Sequence, residues 1–291
     1  MEYSFEKTKW LEPDDENGFS PEVVEKMHVE IEDEIRASIQ ELIISQKNFL
    51  GAGMTAEVHF LEHDFKLCYK IIRKIEVLAR PDAVENLPPK YREIYDKKKA
   101  AEDKEKAKPT FMKNNEGTAV WHVDLFTEAS FLARARALDP EGPVKVPRPD
   151  ASIEINGKEE GDGWEVTDHM EVLLMQAMDA ISADDHMRKG IALPEGFEYE
   201  RFCKQVKDYV VLMHENKLYH RDLHAGNVMI DSTTGNPIII DFGRSGLSSE
   251  EDAYVDEVRP GMKMHFIRDE QMFRDKVEIP LKQYAEYRKL T

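Results

Sequence analysis

Three polar side chains carry most of the chemistry this chain can do. Asp222 and Asn227 lie in the run His220-Arg221-Asp222-Leu223-His224-Ala225-Gly226-Asn227, and Asp241 opens Asp241-Phe242-Gly243. Between them are two short apolar runs, Val228-Met229-Ile230 and Pro237-Ile238-Ile239-Ile240, separated by the turn formers Asp231 to Asn236. That pattern predicts a β-hairpin. A hairpin brings its flanks together, so Asn227 and Asp241 should emerge side by side at one end. Two hard oxygen ligands on one point suit Mg²⁺, which usually shares its coordination with substrate phosphates. Asp222 sits on the same loop, where a carboxylate accepts the proton of an attacking hydroxyl. The chemistry implied is phosphoryl transfer.

H-R-D-L-x-x-x-N followed by D-F-G resembles the protein kinase-like superfamily. The resemblance implies an α+β, two-lobed protein kinase-like fold, a small antiparallel β-sheet lobe joined to a reduced, mainly helical lobe, with ATP and Mg²⁺ as cofactors. Upstream, Gly51-Ala52-Gly53-Met54-Thr55-Ala56-Glu57-Val58 follows G-x-G-x-x-G-x-V with alanine at the third glycine. This marks Gly51, Ala52, Gly53, Ala56 and Val58 as the nucleotide-binding loop. Val58 to Leu61, a turn at Glu62-His63-Asp64, and Lys66 to Ile72 read as a second hairpin, which places Lys70 at the lysine of V-A-I-K. Lys66 is a nearby competitor. Lys70 is preferred because apolar Ile71-Ile72 follows it and because strand alternation puts Cys68 and Lys70 on one face. By the same resemblance, Cys68 and Val58 roof the adenine pocket and Met229 supplies its floor.

The resemblance also requires an acidic helix residue to hold the lysine. Phe126 to Leu138 is rich in strong helix formers and is stopped by Asp139-Pro140, so Glu128 is the candidate. Leu132, one turn on, would face the same interior, near Phe242. The rival is Glu93, whose surroundings run into Lys97-Lys98-Lys99 and Lys104-Glu105-Lys106 and read as a solvated insertion rather than a helix packed on a sheet. Val144 to Ile155, with a polar turn near Asn156-Gly157, reads as a strand edging the small lobe. Val172 to Met178 is then the last strand of that lobe and the hinge, with Met175 as gatekeeper and the backbones of Gln176 and Met178 bonding adenine.

Further on, Phe202, Val206, Tyr209, Val210 and Met213 recur at helical spacing, a scaffold helix with one buried face. His214, at its end, reads as a packing or surface residue. The chain thus divides into an N-terminal helical extension at 1–47, a kinase-like small lobe at 48–178 with a charged insertion at about 74–125, and a reduced large lobe at 179–291. The chain ends at Thr291, soon after Gly243, and no intervening residues spell A-P-E.

Composition narrows the partners. With 40 basic and 58 acidic residues, the net charge of -18 argues against nucleic acid and against an anionic membrane surface. Cys68 and Cys203 are too few for a disulfide framework and point to a reducing compartment. No signal pattern and no long apolar run is present, so a cytoplasmic protein without a membrane span is expected. The expected activity is a protein serine/threonine kinase whose substrate offers a Ser or Thr hydroxyl; a basic substrate would suit the acidic chain. Two alternatives stand beside it. One is a kinase of sugars or other small-molecule alcohols, because His224 stands where serine/threonine kinases usually have lysine. The other is a pseudokinase binding module. Oligomeric state is not encoded in any pattern here.

Overall fold

The computed structural model describes residues 2–10, 49–52, 57–60, 67–107, 124–246 and 269–290. In chain order these form β1 (Glu2–Trp10), β2 (Phe49–Ala52), β3 (Glu57–Phe60), β4 (Leu67–Ala79), a 3₁₀ turn (Val84–Asn86), α1 (Pro89–Ala107) and α2 (Leu125–Leu138). There follow β5 (Pro149–Gly161), β6 (Trp164–Gln176), β7 (Ala180–Ser182), α3 (Ala183–Lys189), α4 (Tyr199–Glu215), β8 (Val228–Asp231) and β9 (Pro237–Ile239). The last segment is α5 (Asp269–Phe273), a π turn (Arg274–Glu278) and α6 (Ile279–Leu290). The architecture is α+β, as the sequence implies. A six-stranded antiparallel sheet ordered β1-β5-β6-β4-β3-β2 precedes a mainly helical part holding the small sheet β7-β8-β9.

The large sheet is longer than the local patterns suggest. β5 alternates in burial from Pro149 through Gly157, with Ala151, Ile153 and Ile155 inside. It therefore runs straight past Asn156-Gly157, and the turn falls at Asp162-Gly163, where Gly163 takes φ 79°. A left-handed residue costs glycine little, so Gly163 turns the chain here without strain. Nor is β5 an edge. β1 pairs antiparallel with it from Glu2 opposite Lys158 to Trp10 opposite Ala151. Residues 2–10 are thus an edge strand, not part of a helical extension, and the helical run expected after Ser20 lies outside the described residues. Buried Asp168 helps hold β1, accepting from Tyr3 Oη at 3.0 Å and Arg73 Nε at 2.9 Å.

The charged insertion is likewise shorter than expected. β4 continues to Ala79, paired with β6 along its whole length, from Leu67 opposite Gln176 to Ala79 opposite Trp164. α1 then begins against the sheet, because Tyr91 and Leu87 bury with Val77 and Val166 in a small apolar cluster. The first turn of this helix is packed after all. Glu93 stays exposed and pairs with Lys97, one turn on, at 2.7 Å.

α2 begins where Asp124 accepts the Thr127 amide at 2.7 Å and ends before Pro140. The N-cap bond satisfies one of the unpaired amides of a helix start. Its buried stripe is Leu125, Glu128, Ala129, Leu132 and Ala135, which joins one core with Phe202, Val206, Val210 and Met213 of α4, with Val228 and Ile239, and with Phe242. Burying each large side chain contributes roughly 1.5–3 kcal/mol. Tyr209 adds a polar tie between the two helices, donating to Ala135 O at 2.6 Å.

Candidate active site

The hairpin read from sequence is β8-β9, paired with Val228 opposite Ile239 and Ile230 opposite Pro237. Beyond the last pair, Ile240 N–H donates to Asn227 O at 3.0 Å, so Asn227 and Asp241 emerge at the same end. Asn227 Nδ2 donates to Asp222 O at 2.9 Å. With the amide nitrogen committed, the side-chain oxygen of Asn227 is the atom of a kind that a hard cation takes. Asp222, Asn227 and Asp241 therefore share one locality.

Two residues here carry left-handed backbone without being glycine: Arg221 and Asp241, each at φ 63°. Such positions cost of order 1–3 kcal/mol each and persist only where the surroundings hold them. Arg221 is held by its amide, which donates to Asp269 Oδ1 at 2.7 Å, while His220 N–H donates to Asp269 Oδ2 at 2.8 Å. Asp241 is held by Lys70.

Lys70 is the centre of the charged cluster. Its ammonium lies 2.8 Å from Glu128 Oε2 and 2.7 Å from Asp241 Oδ1. Glu128, one of the two glutamates considered, is thus the partner, and it is 2% exposed. Burial opposes charge on all three groups. For Lys70 it is outweighed by Glu128 and Asp241, so the amine is held above its usual range. For Asp241 it is outweighed by Lys70, and that carboxyl is held low. Two carboxylates sharing one ammonium cannot both gain fully. In the more deeply buried Glu128, burial prevails and raises the carboxyl.

The roof and hinge residues fall around this cluster. Val58 pairs with Lys70 across β3-β4, and Cys68 and Met175 pair across β4-β6, which places Val58, Cys68, Lys70 and Met175 on one sheet face. Burial, with the Asp150 charge adding, pushes the Cys68 thiol up to about 12. Met229 lies mid-strand in β8, half-buried, opposite Ser182 and Ile238. Gly51 and Ala52 belong to β2, whereas Gly53 and Ala56 lie outside the described residues. At the hinge, Gln176 N–H already donates to Arg148 O at 2.8 Å, and the Cys68 thiol reaches Gln176 O at 3.7 Å. Met178 O accepts from Ala180 N–H at 3.0 Å. Adenine bonding through these groups would have to share or displace internal bonds.

Several site residues have no signature in the sequence. Asp269 anchors the loop amides from the start of α5, and His214 donates to it, Nε2 to Oδ2 at 3.1 Å, while stacking on Tyr219. His214 is thus part of the ion network under the loop from His220 to Asn227 rather than a packing or surface residue. Arg244 Nη1 lies 3.4 Å from Asp222 Oδ1, and His224 Nε2 lies 3.8 Å from Asp222 Oδ2. Arg244 directly follows Gly243, but nothing local aims it at Asp222.

A family model described as protein kinase domain matches residues 162–260. That span covers β6, α4, the loop from His220 to Asn227, and Asp241; Lys70 and Glu128 stand upstream of it. The chain is also 39% identical over 56 residues to the serine/threonine-protein kinase pim-2 of Danio rerio, covering 19% of this chain and 18% of that protein. It therefore spans less than a fifth of the length of that curated relative. Among solved structures, a double mutant of the Mycobacterium tuberculosis PknI kinase domain aligns at 18% identity with a TM-score of 0.33, over 67% of this chain and 58% of that one. Over residues 162–260 the chain is thus similar to protein kinase domains.

Proposed function

We propose that this chain is an ATP- and magnesium-dependent phosphotransferase that acts on serine or threonine hydroxyls of protein substrates. The observation that carries the reading is Lys70 held between Glu128 and Asp241, next to a loop that presents Asp222 and Asn227. A buried ammonium fixed by two carboxylates is a preorganised positive charge, suited to orient nucleotide phosphates as they react. Asn227 and Asp241 would hold magnesium, which when bound neutralises charge on the transferring phosphates. Asp222 orients the acceptor hydroxyl and takes its proton as the new oxygen–phosphorus bond forms. Gly51, Ala52, Gly53 and Ala56 would cover the phosphates, and Val58, Cys68, Met175 and Met229 would enclose the base. Two buried free thiols fit a reducing compartment such as the cytoplasm. No helix among the described residues is long and apolar enough to cross a membrane.

His224 beside Asp222 supports a second reading, a small-molecule or sugar kinase on the same scaffold. Incubating the chain with labelled ATP, magnesium and a fractionated lysate separates the two, with Asp222→Asn as control. Label in protein supports the first reading and label in small molecules the second. No transfer at all would reject both.

A further inference from the structure

Each ring nitrogen of His224 has a polar neighbour on this loop. Gly226 N–H donates to Nδ1 at 3.0 Å, so Nδ1 presents its lone pair. In the neutral ring the proton then sits on Nε2, the atom that lies 3.8 Å from Asp222 Oδ2. The ring reaches this pose because residue 226 is glycine: a Cβ there would stand 2.9 Å from His224 Cε1. The backbone is fixed as well, by His224 N–H to Asp222 O and Asn227 N–H to His224 O, both at 2.9 Å. Tautomer, ring orientation and loop are thus set together.

We propose that His224 is a positioning residue for Asp222, its Nε2–H aimed at the carboxylate by the bond that Gly226 makes to Nδ1. This deepens the phosphotransfer reading and rests on it. At 3.8 Å the N–H is not yet hydrogen-bonded to Oδ2. Catalytic hydrogen bonds of substrate-free sites are often long and tighten when substrate is bound. Arg244 Nη1 approaches the other oxygen, Oδ1, at 3.4 Å. Asp222 thus has a donor near each oxygen, and closing the His224 contact would limit its rotation while one lone pair receives the acceptor's proton. His224 keeps its own proton throughout. The proton passes from the acceptor hydroxyl to Asp222, the acceptor oxygen bonds to phosphorus, and ADP leaves with the electron pair of the broken bond.

The two amide replacements for this histidine divide the roles. H224N retains an oxygen near the Nδ1 position to accept the Gly226 amide but has no donor near Nε2. The longer side chain of H224Q puts a donor near Nε2 and gives up the Gly226 bond. Expected is a fall in kcat of about tenfold or more in H224N with KM for ATP unchanged, and a smaller fall in H224Q. Nitrogen-15 NMR of the labelled wild-type chain should show His224 protonated on Nε2 in its neutral form. H224N at wild-type kcat, or a neutral His224 protonated on Nδ1, would overturn this role while leaving the phosphotransfer reading intact. A wild-type chain without magnesium- and ATP-dependent turnover would overturn that reading and this role with it.

Discussion

Lys70 Nζ lies 2.7 Å from Asp241 Oδ1, joining β4 to the residue just beyond β9 across 171 positions of sequence. The same ammonium bonds Glu128 on α2, so one cation ties the large sheet, the helix packed on it and the segment after β9. Removing the cation strands two carboxylates. K70M should lower turnover by about 10²–10³-fold, the scale of one lost electrostatic contact to a reacting group. It should also destabilise the fold by roughly 3–5 kcal/mol, the usual cost of breaking one half of a buried pair. The double variant K70M/E128Q should recover part of that stability in urea titration and none of the activity. Full recovery of turnover would remove Lys70 from the phosphate site.

Asp269 accepts two consecutive backbone amides, those of His220 and Arg221, from the first residue of α5. In D269N one of these amides would meet an NH₂ group instead of an acceptor. An unsatisfied buried donor costs about 1–3 kcal/mol. The expected result is that loss in urea unfolding together with reduced kcat, because the left-handed Arg221 loses its anchor just before Asp222. Wild-type kcat in D269N would show that the loop holds its shape without the anchor.

His214 gives the fold a pH dependence with a defined sign. Its hydrogen bond to Asp269 raises its pKa above the ordinary value of 6.5, against the opposing effect of burial, and Glu270 adds to the rise. A group raised on folding contributes stability that is complete below its unfolded pKa and is lost as pH climbs through the folded one. The melting temperature of the wild-type chain should therefore decline as pH rises from about 6.5. H214Q should lack that part of the slope. Equal slopes in the two chains, measured by thermal denaturation across this range, would refute the linkage.

Cys68 should react slowly with thiol reagents even in the free protein, since its thiol is 7% exposed and pushed up to about 12. If it roofs the nucleotide pocket with Val58, Mg-ATP should slow its labelling further and leave Cys203, on α4, unaffected. Equal labelling of Cys68 with and without nucleotide would remove it from the roof.

The parts of the fold legible in sequence were those written in short-range pattern. The hairpin flanked by Asn227 and Asp241 is encoded in two apolar runs around a turn cluster, and α4 in its 3.6-residue periodicity. Glu128 was legible because its helix is rich in strong helix formers and stops at Asp139-Pro140, whereas its start at Asp124 shows only in the structure. Turn chemistry was the weaker guide. Asn156-Gly157 and Asp162-Gly163 look alike locally, and only pairing of β5 with β1 and β6 on its two sides decides which one bends. The same pairing explains why the charged composition after Arg73 hid the rest of β4: Ile75 and Val77 keep the period, but their partners on β6, Asp168 and Val166, lie far along the chain.

Residue types and motif spacing alone set out the candidate site residues and their order along the chain: Lys70, Glu128, Asp222, Asn227 and Asp241. Motif spacing is local, and a loop between two short strands leaves little freedom in where its polar side chains emerge. Which charge meets which is settled by long-range packing. Lys70 sits between two carboxylates, Asp269 holds the amides before Asp222, and His214 supports Asp269. Those contacts depend on strand register and helix packing, which bring residues dozens of positions apart to within hydrogen-bonding distance, and no periodicity along the chain records them.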